Sequence, residues 1–300
     1  MHATAQDLRD MEIPGIASFS TAPGGLTRLD VHSPLATAEI FLHGGHVARF
    51  QPAGSAPVLF MSAASHFAPG KPIRGGVPIC FPWFGPRAGH PEAPMHGFAR
   101  TMTWRLESLA QSADGVVKVV LALAADDATR AHWPHEFVLR HRIAIGPELR
   151  LTLEVENTST APFTFEEALH TYFAIADVRE ATATGLEGAS YLDKTDGFKT
   201  KTVGAEPLRF TGETDRLFPN HEGTCVIADR PTARRIVIEK SGSATTVVWN
   251  PWIAKAAAMA DFGDDEWPRM LCIETVNAGA DAVTLAPGAR HATTAVVRVE

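Results

Sequence analysis

Two stretches of this sequence put an imidazole and a carboxylate where strand alternation would leave them on a shared kind of surface. In Phe165-Glu166-Glu167-Ala168-Leu169-His170-Thr171-Tyr172-Phe173, a period of two sends Phe165, Glu167, Leu169, Thr171 and Phe173 to one face. Glu166, Ala168, His170 and Tyr172 go to the other. A face with a carboxylate, an imidazole and a phenol reads either as the lining of a polar cleft or as a half-exposed strand with an ordinary surface histidine. In Met270-Leu271-Cys272-Ile273-Glu274-Thr275-Val276-Asn277, Glu274 shares the face of Met270, Cys272 and Val276. A carboxylate in so apolar a strand is costly to bury unpaired. It is either satisfied structurally or tuned by burial as a general base. An imidazole and a carboxyl around one substrate could give and take protons in the same reaction.

A third stretch supplies cations. Lys71 to Pro86 carries Arg74, the pair Gly75-Gly76 and the aromatics Phe81, Trp83 and Phe84; ten residues further on comes His96-Gly97-Phe98-Ala99-Arg100. Arg74, Arg100 and His96 among aromatics suit a sugar or sugar phosphate, because aromatic faces pack on the sugar and guanidinium forks pair with phosphate oxygens. The competing reading is a structural loop whose aromatics plug the end of a sandwich. Gly75-Gly76 is no phosphate-cradling P-loop, since it lacks the GxxxxGK[ST] spacing and a following helix.

Other chemistries find less support. Among 13 histidines, His135 and His141 would share a strand face but stand roughly 20 Å apart. His132 and His135 are separated by Trp133-Pro134 without an evident third ligand, so no facial metal triad is indicated. There is no GxSxG elbow, no cysteine paired with a histidine, and no convincing carboxylate pair to flank a glycosidic bond. A formal charge of -7 argues against a phosphate-backbone surface and hence against nucleic acid. Cys80, Cys225 and Cys272 form neither a disulfide framework nor a zinc knuckle. No apolar run approaches about 18 residues and the N-terminus lacks a signal pattern. The expectation is a reduced, cytoplasmic, monomeric protein without a membrane segment.

The elements that must position these groups are strands. They are expected at Leu26 to Val31, Ala38 to Leu42, Val47 to Phe50, Val58 to Met61, Val116 to Leu123, Phe137 to Ile145 and Leu149 to Val155. The His170 strand follows, then Ile236 to Glu239, Thr245 to Trp249, Met270 to Glu274 and Thr293 to Val299. Residues 62–102 form a long Gly/Pro-rich loop, a kind that is usually functional. One short helix is expected over Ile253 to Asp261. With 45% apolar residues, 21 prolines and 24 glycines, the expected fold is all-β. It is one domain over 1–300 with an extension at 1–13, built as two broad antiparallel sheets packed face to face.

Four blocks carry a family resemblance. They are Ile73-Arg74-Gly75-Gly76-Val77-Pro78 with Phe81-Pro82-Trp83-Phe84-Gly85, then His96-Gly97-Phe98-Ala99-Arg100, then Glu167 to Phe173, then Trp249-Asn250-Pro251-Trp252 with Cys272-Ile273-Glu274-Thr275. In this order, over roughly residues 14–299, the chain resembles the glucose-6-phosphate 1-epimerase (hexose-6-phosphate mutarotase) branch of the aldose 1-epimerase superfamily. The resemblance implies a large galactose-mutarotase-like β-sandwich and cofactor-independent, metal-independent interconversion of the anomers of a hexose 6-phosphate. It matches His170 and Glu274 to the catalytic pair. Arg74 and Arg100 match substrate-binding arginines, Asp193 in Tyr191-Leu192-Asp193 matches an aspartate that contacts sugar hydroxyls, and His96 lies near the sugar. Met95 stands where relatives often carry a polar residue. On these residues Glu274 is expected as base and a protonated His170, held by the carboxylate, as acid. A mutarotase for unphosphorylated aldoses and a non-catalytic carbohydrate-binding sandwich are the alternative readings.

Overall fold

The computed structural model describes residues 3–300. Its frame is two large antiparallel sheets. A nine-stranded sheet runs Leu208–Arg209, Thr182–Thr184, Cys225–Asp229, Arg234–Ser241, Arg290–Val299, Leu149–Asn157, Phe137–Ile145, Val117–Ala124, Arg105–Gln111. An eight-stranded sheet runs Lys199–Thr202, Ser190–Asp193, Thr214–Phe218, Thr245–Asn250, Met270–Asn277, Glu167–Leu169, Ile79–Cys80, with Tyr172–Ala174 also paired to Met270–Asn277. A four-stranded meander from Ala17 to Pro52 and the pair Phe163–Phe165 with Val283–Leu285 complete the sheets.

Alternation builds the core between the large sheets. Leu149, Leu151, Leu153 and Val155 are fully buried while the residues between them are not. Met270–Asn277 departs from that pattern: all eight residues are buried. One of its faces looks into the sandwich, where Asn277 donates to Thr293 of the opposite sheet at 3.0 Å. Its other face, with Cys272 and Glu274, is covered by the walls of a cleft on the side turned away from the nine-stranded sheet.

Only two α-helices occur among the described residues, Asp127–His132 and Trp252–Ala257. The first has a reciprocal cap between Asp126 and Thr129 and was not expected. The second stops at Ala257, four residues short of the expected end. Val58 to Met61 is no strand; it makes only isolated bridges, Leu59 to Phe173 and Met61 to Gly75. Residues 62–102 are the long loop expected, with one two-residue strand and one 3-10 turn, Ala99–Thr101.

The strand expected around His170 is interrupted. Glu167–Leu169 and Tyr172–Ala174 are separate strands, because Thr171 N–H folds back to Leu169 O at 2.9 Å. The pairing to Met270–Asn277 nevertheless keeps one register on both sides of the break, Leu169 facing Thr275 and Tyr172 facing Cys272. That register sets His170 directly across from Glu274.

Candidate active site

Two rows of side chains cross the outer face of the eight-stranded sheet. In the first, Leu192 faces Leu217, Leu217 faces Val247, and Val247 faces Glu274, with His170 beyond. The second lies two residues along each strand: Asp215 faces Trp249, Trp249 faces Cys272, and Cys272 faces Tyr172. Lys194, one residue past its strand, extends this row and pairs with Asp215 at 3.2 Å. Except for Cys272, these residues line a cleft of about 590 Å³, a size ordinary for a small-molecule site.

At its floor, His170 Nε2 lies 3.4 Å from Glu274 Oε1, with both residues buried. The ring is held on all sides. It stacks on Tyr172 (centroids 4.9 Å apart, planes at 13°), and Trp249 and His96 meet it edge-on. Its backbone N–H donates to Pro78 O at 3.0 Å. The second polar atoms of the pair, His170 Nδ1 and Glu274 Oε2, are buried without a hydrogen-bond partner.

Electrostatics set the resting protonation. Burial, then the guanidinium charges of Arg100 and Arg74, push His170 well below the usual histidine value. Burial pushes Glu274 well above the usual carboxylate range, partly opposed by Lys194. The imidazolium–carboxylate pair expected from the sequence is therefore not the form that burial and the neighbouring cations favour. Two desolvated charges beside fixed cations cost more than a neutral ring beside a neutral carboxyl, so both shifts favour the neutral forms.

The long loop builds one wall. Arg74 donates to Tyr172 Oη and to Asp261 Oδ2, each at 3.0 Å. Burial opposes its charge, but the tyrosine and aspartate outweigh that and hold its pKa above the ordinary value. Arg100 donates from Nη2 to Met95 O at 2.8 Å, while its Nε is buried without a partner. Among the described residues Arg100 joins no ion pair, so no side-chain carboxylate neutralises this guanidinium. Met95 enters the site through this backbone carbonyl, and its side chain stays at the exposed rim. His96 sits at φ 63° and accepts from Gly85 N–H through Nδ1 at 3.1 Å. Burial and Arg100 keep its pKa well below normal, so the neutral ring carries its proton on Nε2. The next residue must be glycine: a Cβ at Gly97 would lie 1.9 Å from Phe81 O. Glu166, on the cleft face as alternation predicts, accepts from Phe84 N–H (2.8 Å) and Gly279 N–H (2.7 Å). It clamps two rim loops together.

His170, Glu274, Arg74, His96 and Arg100 thus converge on one cleft. Asp193 does not join them. It lies on the reverse of its strand, accepts from Thr195 N–H at 3.0 Å as a cap and from Lys201 at 2.8 Å, and is absent from the cleft lining. Its neighbours Leu192 and Lys194 line the cleft instead, as period two requires. Residues not singled out from sequence are Lys194, Asp215 and Lys255 on the lining and Asp261 behind Arg74; Trp249, from a block that carried the resemblance, also lines the cleft. Parity along Tyr191-Leu192-Asp193-Lys194 was the available signal for Lys194. The two histidine pairs weighed for metal do not form a site: His135 precedes its strand, and buried His141 bonds Gly45 O through Nδ1 at 2.9 Å. Among the described residues, the donor set close enough to hold a cation is His170, Cys272 and Glu274.

The aldose 1-epimerase family profile matches residues 29–298. The chain belongs to the aldose 1-epimerase family. Within reach of this family member are relatives that carry the provisional name glucose-6-phosphate 1-epimerase. One, from Cenchrus ciliaris, is 36% identical over 283 residues, covering 91% of this chain and 84% of its own length. Another, from Escherichia coli K12, is 36% identical over 248 residues, 83% of this chain and 82% of its own. A crystal structure provisionally described as a mutarotase, from Salmonella typhimurium, superposes with a TM-score of 0.90 at 31% identity, over 96% of this chain and 95% of its own. The antiparallel two-sheet architecture is thus the aldose 1-epimerase fold.

Proposed function

We propose that the cleft interconverts the α and β anomers of a hexose 6-phosphate, foremost glucose 6-phosphate, by ring opening and reclosure. The observation that carries this reading is the His170–Glu274 pair at 3.4 Å on the floor of a cleft whose wall holds the unpaired guanidinium of Arg100. The names borne by the relatives support the same substrate.

Ring opening takes the proton from the anomeric hydroxyl while another proton reaches the ring oxygen. The C1–O5 bond breaks as the C1 carbonyl forms; rotation about C1–C2 and reclosure give the other anomer. One base and one acid suffice. The substrate's own phosphate arms them. A phosphate dianion against Arg100 and Arg74 offsets the cation charges that add to burial in holding His170 low, which favours proton transfer from Glu274 to His170. Carboxylate then acts as base at the anomeric oxygen and imidazolium as acid at the ring oxygen, with roles exchanged on reclosure. Trp249 and Phe84 offer apolar faces to the sugar's C–H surface, and His96 Nε2–H offers a donor.

A coupled assay tests the reading. Freshly dissolved α-glucose 6-phosphate is supplied to a β-specific dehydrogenase with and without the protein, beside α-glucose with its own dehydrogenase. The expected result is acceleration over spontaneous mutarotation that is much greater for the phosphate ester. No acceleration with either sugar overturns it, and equal acceleration removes the phosphate from the assignment.

A further inference from the structure

The floor of the cleft has a second chemical capacity. Cys272 lies two residues before Glu274 on the same face of one strand, and faces Tyr172 across the register row next to His170. One ligand atom from each of His170, Cys272 and Glu274 lies within 4.8 Å of the others. Bond lengths of about 2.0–2.3 Å put the donors of a tetrahedral zinc site roughly 3.3–3.7 Å apart. His170 Nε2 and Glu274 Oε1 already stand at 3.4 Å, inside that range. An independent feature is the other carboxyl oxygen: Glu274 is 2% exposed, yet its Oε2 has no hydrogen-bond partner and is free to ligate in place of Oε1 or beside it. We propose that these three residues capture a soft or borderline divalent cation, of the zinc or cadmium kind, which blocks the cleft reversibly.

Nitrogen, sulfur and carboxylate oxygen together are the ligand set such cations prefer, whereas magnesium and calcium favour all-oxygen shells. The fourth position opens to the cleft and takes water. Binding displaces the thiol proton and the proton shared by His170 and Glu274 to solvent; no electrons move. Two features make this a site of capture instead of a resident cofactor site. His170 Nδ1 lacks the hydrogen-bond acceptor that usually fixes a ligating imidazole. Arg74, Arg100 and Lys194 face the same cleft and oppose a dication. The inference stands on the ligand geometry and does not need the proposed activity.

Cobalt(II) is the probe, because a thiolate ligand adds a charge-transfer band that oxygen and nitrogen ligands do not. Titration of the full chain with Co2+ is expected to give this band at one equivalent, to be displaced by Zn2+ and removed by chelator. Cys272→Ser is expected to abolish the band and weaken binding by roughly tenfold or more; Cys80→Ser and Cys225→Ser are expected to leave both unchanged. Glu274→Gln provides a second ligand deletion should Cys272→Ser fold poorly, with tenfold or more weaker binding again expected. Absence of the band in the wild-type chain, or its persistence in Cys272→Ser, overturns the proposal.

Discussion

His170 and Glu274 differ from an ordinary ion pair in what surrounds them. Their Nε2 and Oε1 atoms are 3.4 Å apart, but both residues are buried, and the charges acting on them are those of Arg100 and Arg74 at the ring and of Lys194 and Asp215 at the carboxyl. Those conditions favour a neutral ring beside a neutral carboxyl, and an anion brought to the arginines favours proton transfer to the ring. This predicts that α-glucose, which lacks the phosphate, reacts faster when inorganic phosphite or phosphate occupies the arginines. The check is the mutarotation rate of α-glucose at increasing phosphite, where a flat or falling rate contradicts the arming step. The acid–base residues were legible in the sequence, because period two puts an imidazole on one strand and a carboxylate on another. Their resting protonation was not, since it depends on how deeply each is buried and on which cations the long loop brings near.

At the scale of elements, parity decides which side chains reach the cleft. Tyr191-Leu192-Asp193-Lys194 ends a strand, and only its even-numbered members line the cleft. The resemblance singled out Asp193, whose carboxylate instead caps the turn at Lys194–Asp196 and pairs with Lys201. Asp193→Ala is accordingly expected to lower stability by about 1–2 kcal/mol while leaving KM for glucose 6-phosphate nearly unchanged. Lys194→Met is expected to do the reverse, raising KM with little loss of stability. Urea unfolding and steady-state kinetics on both variants check this, and a KM defect confined to Asp193→Ala would contradict the placement. The 62–102 loop shows the limit of pattern reading. Its lack of periodicity was plain, but that it delivers Arg74, His96 and Arg100 to the same wall depends on contacts distant in sequence. One is the clamp of Glu166 on Phe84 and Gly279.

For the whole molecule, the two-sheet architecture was legible because long strands such as Leu149–Asn157 keep a strict apolar alternation over nine residues. The short strands of residues 182–218 carry two to five residues each, too few for a period to emerge, and pairing to neighbours creates them. Buried histidines give the fold a pH signature. Burial holds His46 at about 3 and His141 at about 4, against an unfolded value near 6.5. Below that value the unfolded chain takes up protons that the folded chain cannot, so stability is full above about pH 6.5 and falls as the medium is acidified. Between pH 6.5 and 5 each of the two contributes a loss of about 2 kcal/mol. Urea midpoints are expected to drop over that interval, with a shallower slope in His46→Gln; a midpoint that holds or rises on acidification contradicts it.

The central claim is that one imidazole and one carboxyl exchange protons with a sugar ring, and anomer exchange reports it without a coupling enzyme. Magnetisation transfer between the α and β anomeric protons of glucose 6-phosphate at equilibrium measures the ring-opening rate directly. With the wild-type chain that exchange should greatly exceed the spontaneous rate. It should fall by roughly 10²–10⁴-fold in His170→Asn and in Glu274→Gln, each shown to be folded by its unfolding curve. Wild-type exchange rates in both folded variants would contradict the account.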